Sequence, residues 1–166
     1  MAKHVFGLAS VKMGAIAGDG GMGTSLTPVG ETVSGTANLV TEDNQVTDFN
    51  IEESDSPVES IVSEAGKMTI SWSSYNVDAD NLVLFFGGTK VTGPPVKWQA
   101  PDSFIQVEKS LEFTDRKGNV IIVPRAKIQA KFGLSFAKDK LGQVDIVATI
   151  LQPDKSGEKR MTITYA

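Results

Sequence analysis

The sequence predicts a mainly β fold, a β-sandwich or barrel of about seven or eight strands with one short flanking α-helix. Two observations carry this prediction. Several stretches alternate between apolar and polar residues, as strands with one buried face do, and helical periodicity is confined to about residues 78–86. The chain has 166 residues, which is the size of one domain, so we expect residues 1–166 to fold as a single unit.

The N-terminal third predicts short strands and one long irregular segment. Residues 3–13 predict a strand that buries Val5, Val11 and Met13 on one face. Residues 14–32 are rich in glycine and predict a flexible loop or arm without ladder pairing. Three further strands are predicted over 33–41, 45–52 and 58–63. The acidic run at 52–57 predicts a turn between the last two of them.

The middle of the chain predicts a strand followed by the helix. Residues 67–75 alternate, and Trp72 falls on the apolar side, which places it in the core. Asp78 is suited to cap the N-terminus of a helix over 78–86, and Gly87 is suited to end it in a left-handed conformation.

The last third carries the longest alternation. Even-numbered residues from Val120 to Phe136 are apolar, which predicts one long strand with a break or bulge at Pro124. We expect it to form a hairpin with residues 105–113, joined by a turn in which Gly118 supplies a positive φ. Two closing strands are predicted over 143–151 and 159–165.

Charge is unevenly distributed along the chain, although the net charge is only −4. Residues 1–66 contain two lysines and ten acidic residues, whereas residues 67–166 contain fourteen basic and ten acidic residues. One interpretation is that oppositely charged surfaces steer copies of the chain head to tail, and the other is that the imbalance is scattered in space. The negative total disfavours sequence-independent binding of duplex DNA.

Composition removes most catalytic and metal-binding chemistry. The absence of cysteine excludes thiolate nucleophiles and sulfur-ligated zinc, and the lone histidine, His4, gives a catalytic triad little material. The N-terminal residues lack the pattern of a secretory signal, and apolar stretches are too short to span a membrane. We therefore predict no enzymatic activity, no cofactor, no metal and no membrane, with synthesis in a cytoplasm.

Two segments resemble ligand-binding motifs but lack the residues that such sites need. Residues 18–23 satisfy G-x-G-x-x-G, yet the residues after them cannot form the helix that would hold a phosphate. Residues 76–81 resemble the start of a calcium loop, but Asn81 stands in place of the turn glycine and Gly87 in place of the bidentate glutamate. Both segments are better explained as a loop and a helix cap.

Two surface features leave alternatives open. Arg125, Lys127 and Lys131 share the polar face of the long strand, where they form either a solvated face or a subunit interface. Trp98 follows two prolines in a predicted loop and, like Tyr165, could stack on a sugar. The alternative function is therefore a β-sandwich carbohydrate-binding or adhesion module on a phage or cell surface.

The order of several motifs resembles the phage major tail tube protein family. The strand at 67–72 followed by the helix and glycines at 78–88 resembles the strand-then-helix unit of that family. Further segments resemble it in order, spacing and residue type, namely 26–32 upstream and 110–114, the Gly118 turn, 123–128 and 145–151 downstream. Together the likeness covers most of the chain.

The resemblance implies a structural virion protein of the tail, made in the host bacterial cytoplasm. It implies hexameric rings that stack into a hollow tube, through which DNA passes during ejection without sequence-specific binding. The implied partners are other copies of the chain and the tail terminator, tape measure and baseplate or tip proteins. Related tubes occur in contractile tails and in type VI secretion, so the delivery system stays open.

The residues themselves suggest where subunits meet. The segment 14–32 is long and poorly suited to a core. The basic stripe, which we define as Arg125, Lys127 and Lys131, complements the charge of the acidic N-terminal part of the chain. We expect subunit contacts at Gly18, Gly20, Met22, Leu26, Pro28, Arg125, Lys127 and Lys131.

Overall fold

A computed structural model describes residues 2–166 and confirms a mainly β fold. Over these residues it contains one helix and twelve strands. Eight strands form one sheet, which matches the predicted number, and four short strands form two separate pairs. The elements are β1 (Leu8–Gly14), β2 (Leu26–Pro28), β3 (Asn38–Thr41), β4 (Gln45–Phe49), β5 (Glu59–Glu64), β6 (Met68–Ser74), α1 (Ala79–Phe86), β7 (Thr89–Val91), β8 (Lys97–Gln99), β9 (Val107–Asp115), β10 (Val120–Gly133), β11 (Gln143–Ile150) and β12 (Thr162–Thr164).

The main sheet curves round a single core. Its strands follow the order β2-β1-β9-β10-β11-β6-β3, with β12 also paired to β10, and all pairs are antiparallel. Residues 28–33 connect the two ends of this order. The amide of Val29 donates to the carbonyl of Val11 on β1, and Thr32 bridges to Ser74 on β6. The sheet is therefore nearly closed, as in a barrel.

The core is one cluster of apolar side chains from the main sheet and α1. Trp72 lies in it as predicted, only 1% exposed, with its ring edge-on to Phe113 at a centroid distance of 5.4 Å. Leu82 and Phe85 of α1 reach the same cluster. The helix thus covers the sheet with its apolar face and holds the core closed on that side.

Helix α1 begins and ends at the predicted residues. The carboxylate of Asp78 accepts a hydrogen bond from the amide of Asn81 at 2.8 Å, which satisfies a free donor of the first turn. At the other end, Gly87 has φ 75° and its amide donates to the carbonyl of Val83. Gly88 follows with φ 85°, so the chain leaves the helix through two left-handed glycines.

The β9–β10 turn is also confirmed, and it is organised by a buried carboxylate. Gly118 has φ 86°. Asp115 accepts hydrogen bonds from the backbone amides of Phe6, Lys117 and Asn119 and from the side-chain amide of Asn119, at 2.7–3.1 Å. The turn therefore holds both its own loop and the segment that leads into β1.

These hydrogen bonds give stability a defined pH dependence. Burial raises the pKa of the Asp115 carboxyl, but the hydrogen bonds from Asn119, Phe6 and Lys117 together hold it below its ordinary value. The carboxylate thus stabilises the fold above the unfolded-state pKa, and the contribution is lost as pH falls through the lower folded pKa. We expect Asp115→Asn to lower unfolding free energy at pH 7 and to differ less from the natural chain near pH 3, below the ~3.9 of a free aspartate.

Urea unfolding at the two pH values measures this difference. Asp102→Asn is the control, because Asp102 is an exposed carboxyl. That substitution should leave the free energy of unfolding unchanged at pH 7. An Asp115→Asn chain that differs from the natural chain equally at both pH values would contradict the role of the charge.

A bulge in β10 makes part of the predicted alternation wrong. The pairing with β9 shifts between Val123 and Ala126. Both of these residues are fully buried although their numbers have opposite parity. Before the bulge, Ile121 and Val123 pack on the core, and Val120 and Ile122 do not belong to it. The extra residue is what reverses the inward face.

The N-terminal strand is shorter than predicted. β1 begins at Leu8, because Gly7 has φ 64° and interrupts the extended backbone before it. Val11 and Met13 are buried as predicted, but Val5 is 55% exposed, so its predicted burial is wrong.

Residues 14–32 contain a strand, so the prediction that they form no ladder is wrong. β2 pairs with the end of β1 in a three-residue ladder that ends at Pro28, where a missing donor costs little at a sheet edge. Next to it, Val29 is fully buried. Gly23 donates its amide to the hydroxyl of Ser110 at 2.9 Å. The segment therefore packs on the sheet at several points.

Candidate assembly surfaces

Residues 42–66 form a hairpin, β4–β5, that extends the β3–β6 pair beyond the main sheet. The amide of Glu42 donates to the carbonyl of Lys67, and the amide of Gly66 donates to the side chain of Asn44 at 2.8 Å. A methyl group on Gly66 would collide with the carbonyl oxygen of Glu42. The base of the hairpin is thus closely packed, which fixes the direction in which the hairpin leaves the sheet.

The hairpin buries none of its own strand residues. Every residue of β4 and β5 is exposed, and apolar side chains occupy both faces. Val46 pairs with Val62 on one face, and Ile61 pairs with Thr47 on the other. Because a lone two-stranded hairpin is only marginally stable in water, these side chains are suited to be covered by a partner.

The hairpin also concentrates the acidic charge of the N-terminal part of the chain. Residues 42–64 contain eight acidic residues and no basic residue. Within residues 2–166 none of these carboxylates forms an ion pair. The acidic residues are therefore gathered in one place, not scattered, and they are Glu42, Asp43, Asp48, Glu52, Glu53, Asp55, Glu59 and Glu64.

An aromatic cluster lies beside the C-terminal end of α1. Phe86 stacks on Phe132 with a centroid distance of 4.3 Å, and Trp98 lies 5.9 Å from Phe86 and 6.0 Å from Phe132. The prediction that Trp98 sits in a loop is wrong. It lies on β8, half-buried, and its Nε1 donates to the carbonyl of Gly87 at 2.9 Å, because the β7–β8 pair folds back on the helix end.

A cleft of about 740 Å³ opens over this cluster. We call it the aromatic cleft and define it by Phe86, Trp98, Phe104 and Phe132. The side chain of Phe104 is 89% exposed at its rim. A protein surface that exposes so much aromatic area is typical of a binding site.

The β10–β11 loop adds apolar and basic residues next to the aromatic cleft. β10 ends at Gly133, so the predicted continuation of the strand to Phe136 is wrong. Phe136 is 99% and Leu141 is 70% exposed in the loop. Lys138 and Lys140 lie between them, and neither forms an ion pair within residues 2–166.

The hairpin and the aromatic cleft lie at opposite ends of the sheet. The hairpin joins β6 at Met68, whereas the β10–β11 loop joins β11 next to Ser74, at the other end of β6. The seven residues of β6 separate these ends by roughly 20 Å. A subunit therefore cannot readily place its own hairpin in its own cleft.

A groove lies between β1 and β3, where the main sheet does not close. It has a volume of about 600 Å³, and Leu8, Leu39, Ile70 and Phe113 are among its lining residues. Among residues 2–166, β3 pairs with β6 and with no other strand, so its other edge is free. Its exposed residues include Leu39 and Val40. This edge can accept another strand.

The sequence matches the family described as Phage tail tube protein over residues 17–163. The chain belongs to this family. No curated protein matches it. The matched residues include the hairpin, the aromatic cleft and the free edge of β3, and the family makes the chain a structural protein of the virion tail.

This tail tube protein places one group of the predicted contact residues in and before β2. Gly18 and Pro28 are exposed, and Met22 and Leu26 are half-buried. Gly20 packs against Asp154 in the turn at 153–157. Lys155 of that turn donates to Asp19 at 2.9 Å, which lowers the pKa of the Asp19 carboxyl. Their role in subunit contacts stays a prediction.

The other predicted group, the basic stripe, is neutralised in part within the tail tube subunit. Arg125 forms ion pairs with Glu108 at 2.8 Å and with Asp154 at 3.0 Å. The bond from Arg125 lowers the pKa of Glu108 and raises that of Arg125. Lys127 and Lys131 lie farther along β10. Asp154 contacts both Gly20 and Arg125, so the structure brings the two predicted groups together.

The two motif-like segments have structural roles in this tail tube protein. Residues 18–23 form a turn that leads into β2, not into a helix. Asn81 is buried and donates to the carbonyl of Val29, and Asp80 pairs with Lys90. Within residues 2–166, no group of three or more His, Cys, Asp or Glu side chains is placed to hold a metal ion. The helix in these residues is too short to cross a membrane.

Proposed function

We propose that this tail tube protein self-assembles into stacked rings, hexameric as its family resemblance implies, that form a hollow tube. DNA passes through the tube during ejection into the host. The observation that carries the proposal is the β4–β5 hairpin, whose apolar side chains lie outside the core and stay about half exposed. Exposed apolar surface of this kind is suited to contact between copies of one chain.

The free edge of β3 supports ring formation. Unpaired amides and carbonyls at a sheet edge can pair with the edge of a neighbouring subunit. Repetition of one such contact around an axis closes a ring and uses the edge that each subunit leaves open. The groove beside β3 would then be covered by the adjacent subunit.

The charge pattern of β10 is compatible with a DNA conduit. A strongly basic wall would retain phosphates. On this face, however, Arg125 is paired with Glu108 at 2.8 Å. Lys127 stands opposite Glu108 in the register with β9, and Lys131 stands opposite Asp145 in the register with β11. Arg125 and Lys127 thus share Glu108, and Lys131 faces Asp145, so carboxylates on the neighbouring strands lower the net positive charge that DNA would meet on this face.

The proposed tube needs proteins that start and end it. We propose a tape measure protein inside it, a terminator at one end and a baseplate or tip protein at the other, as in the family that the chain resembles. These partners would meet the same surfaces that join one subunit to the next. Synthesis in the host cytoplasm would precede assembly.

Negative-stain electron microscopy of the purified protein tests the proposal. We expect rings or hollow cylinders at high protein concentration. A protein that stays monomeric at every concentration and in the presence of its tail partners would overturn the proposal. Glycan binding by such a monomer would support the alternative, a carbohydrate-binding module.

A further inference from the structure

We propose that the β4–β5 hairpin of one subunit docks in the aromatic cleft of a second copy of this chain, an inference that rests on the proposed self-assembly. The hairpin carries apolar residues that its own subunit leaves uncovered, among them Phe49, Ile51 and Val58 near its tip. The aromatic cleft offers the complementary apolar surface, with Phe104 exposed at its rim and Phe136 exposed in the adjacent β10–β11 loop. Burial of these two surfaces against each other removes both from water.

Charge complementarity selects this cleft as the site. The tip of the hairpin carries Glu52, Glu53 and Asp55. The loop beside the cleft carries Lys138 and Lys140 on either side of Asp139, a net charge of +1. None of these six side chains has an ion-pair partner within residues 2–166. Docking would bring the acidic hairpin tip against this basic loop, whereas two hairpin tips would repel each other.

The position of the two surfaces makes the contact head to tail. The hairpin extends the β3–β6 pair past Met68, and the aromatic cleft lies beyond the other end of β6. The segment from Glu42 to Phe49, which ends in β4, has eight residues, so the hairpin reaches at most roughly 25 Å from the sheet. Two different patches at opposite ends form a heterologous contact, which repeats along an axis and generates an open stack.

A charge-reversal pair tests the docking. In one chain the hairpin carries Glu52→Lys and Glu53→Lys, which changes the net charge of its tip residues 52, 53 and 55 from −3 to +1, the sign of the loop beside the cleft. In the other the loop carries Lys138→Glu and Lys140→Glu, so both are acidic. We expect each chain alone to need at least tenfold more protein for assembly, and an equimolar mixture to assemble like the natural chain, because each hairpin then meets a cleft of opposite charge.

Cross-linking locates the contact independently of charge. The chain has no cysteine, so Ser56→Cys at the hairpin tip and Ala137→Cys in the β10–β11 loop each supply one defined thiol. With a flexible bismaleimide, mixed assemblies of the two variants should give cross-linked dimers, and assemblies of either variant alone should not. Ser56→Cys mixed with Ser156→Cys is the matched control and should give no dimers.

The outcomes separate this inference from the proposed function. Tubes formed by the natural chain, together with unchanged assembly of both charge-reversed chains and no Ser56–Ala137 cross-link, would overturn the docking and leave the tube intact. A natural chain that never assembles would overturn both. Rescue in the mixture together with the cross-link would support the docking.

Discussion

Replacement of residues 43–66 by Asn-Gly removes the β4–β5 hairpin, and we expect the shortened chain to fold but to form no tubes. Glu42 and Lys67 already share a backbone hydrogen bond, which is the geometry that a two-residue Asn-Gly turn requires. The deleted strands bury nothing against the main sheet. We therefore expect the free energy of unfolding to change by about 1 kcal/mol or less.

Urea unfolding and electron microscopy on the same preparation measure the two halves of this prediction. A second variant keeps the hairpin at full length but carries Val46→Ser, Phe49→Ser and Ile61→Ser. If apolar contact drives assembly, this variant should form no tubes, like the shortened chain. Normal tubes from the shortened chain would show that subunits meet elsewhere and would remove the main support for our proposed function.

Local signals explain which elements the sequence predicts well. Helix α1 is predicted because Asp78 and Gly87 mark its ends within a few residues of its apolar face. The β9–β10 hairpin is predicted because alternation and a turn glycine occur together. The bulge after Val123 is a different case, because Pro124 indicates a break without indicating how many residues each side must shift.

The candidate surfaces depend on contacts between distant segments, so the sequence predicts them less well. Phe86, Trp98 and Phe132 come from α1, β8 and β10, and no local period connects them. The sequence predicts the two hairpin strands at nearly the right residues, but alternation cannot show that both faces stay uncovered. The run of eight acidic residues without a basic one in 42–64 was the available signal of an exposed segment.

The second large expected effect is a loss of stability when Trp72 is removed from the core of the main sheet. Trp72 is 1% exposed, packs edge-on to Phe113 and lies opposite Ile146 on β11. We expect Trp72→Ala to lower the free energy of unfolding by about 3–5 kcal/mol, because it leaves a cavity that the sheet cannot fill. That loss is a large part of the ~5–15 kcal/mol that stabilises a typical domain.

Trp72→Phe separates volume from hydrogen bonding. The indole Nε1 of Trp72 has no hydrogen-bond partner in the described part of the chain, residues 2–166, so its removal costs no bond. We therefore expect Trp72→Phe to lose much less stability than Trp72→Ala in urea unfolding. Trp98→Phe, by contrast, removes the hydrogen bond from the indole to the carbonyl of Gly87, so it should disturb the aromatic cleft while it leaves the core of the main sheet intact. A Trp72→Ala chain as stable as the natural one would show that the sheet does not close round this side chain.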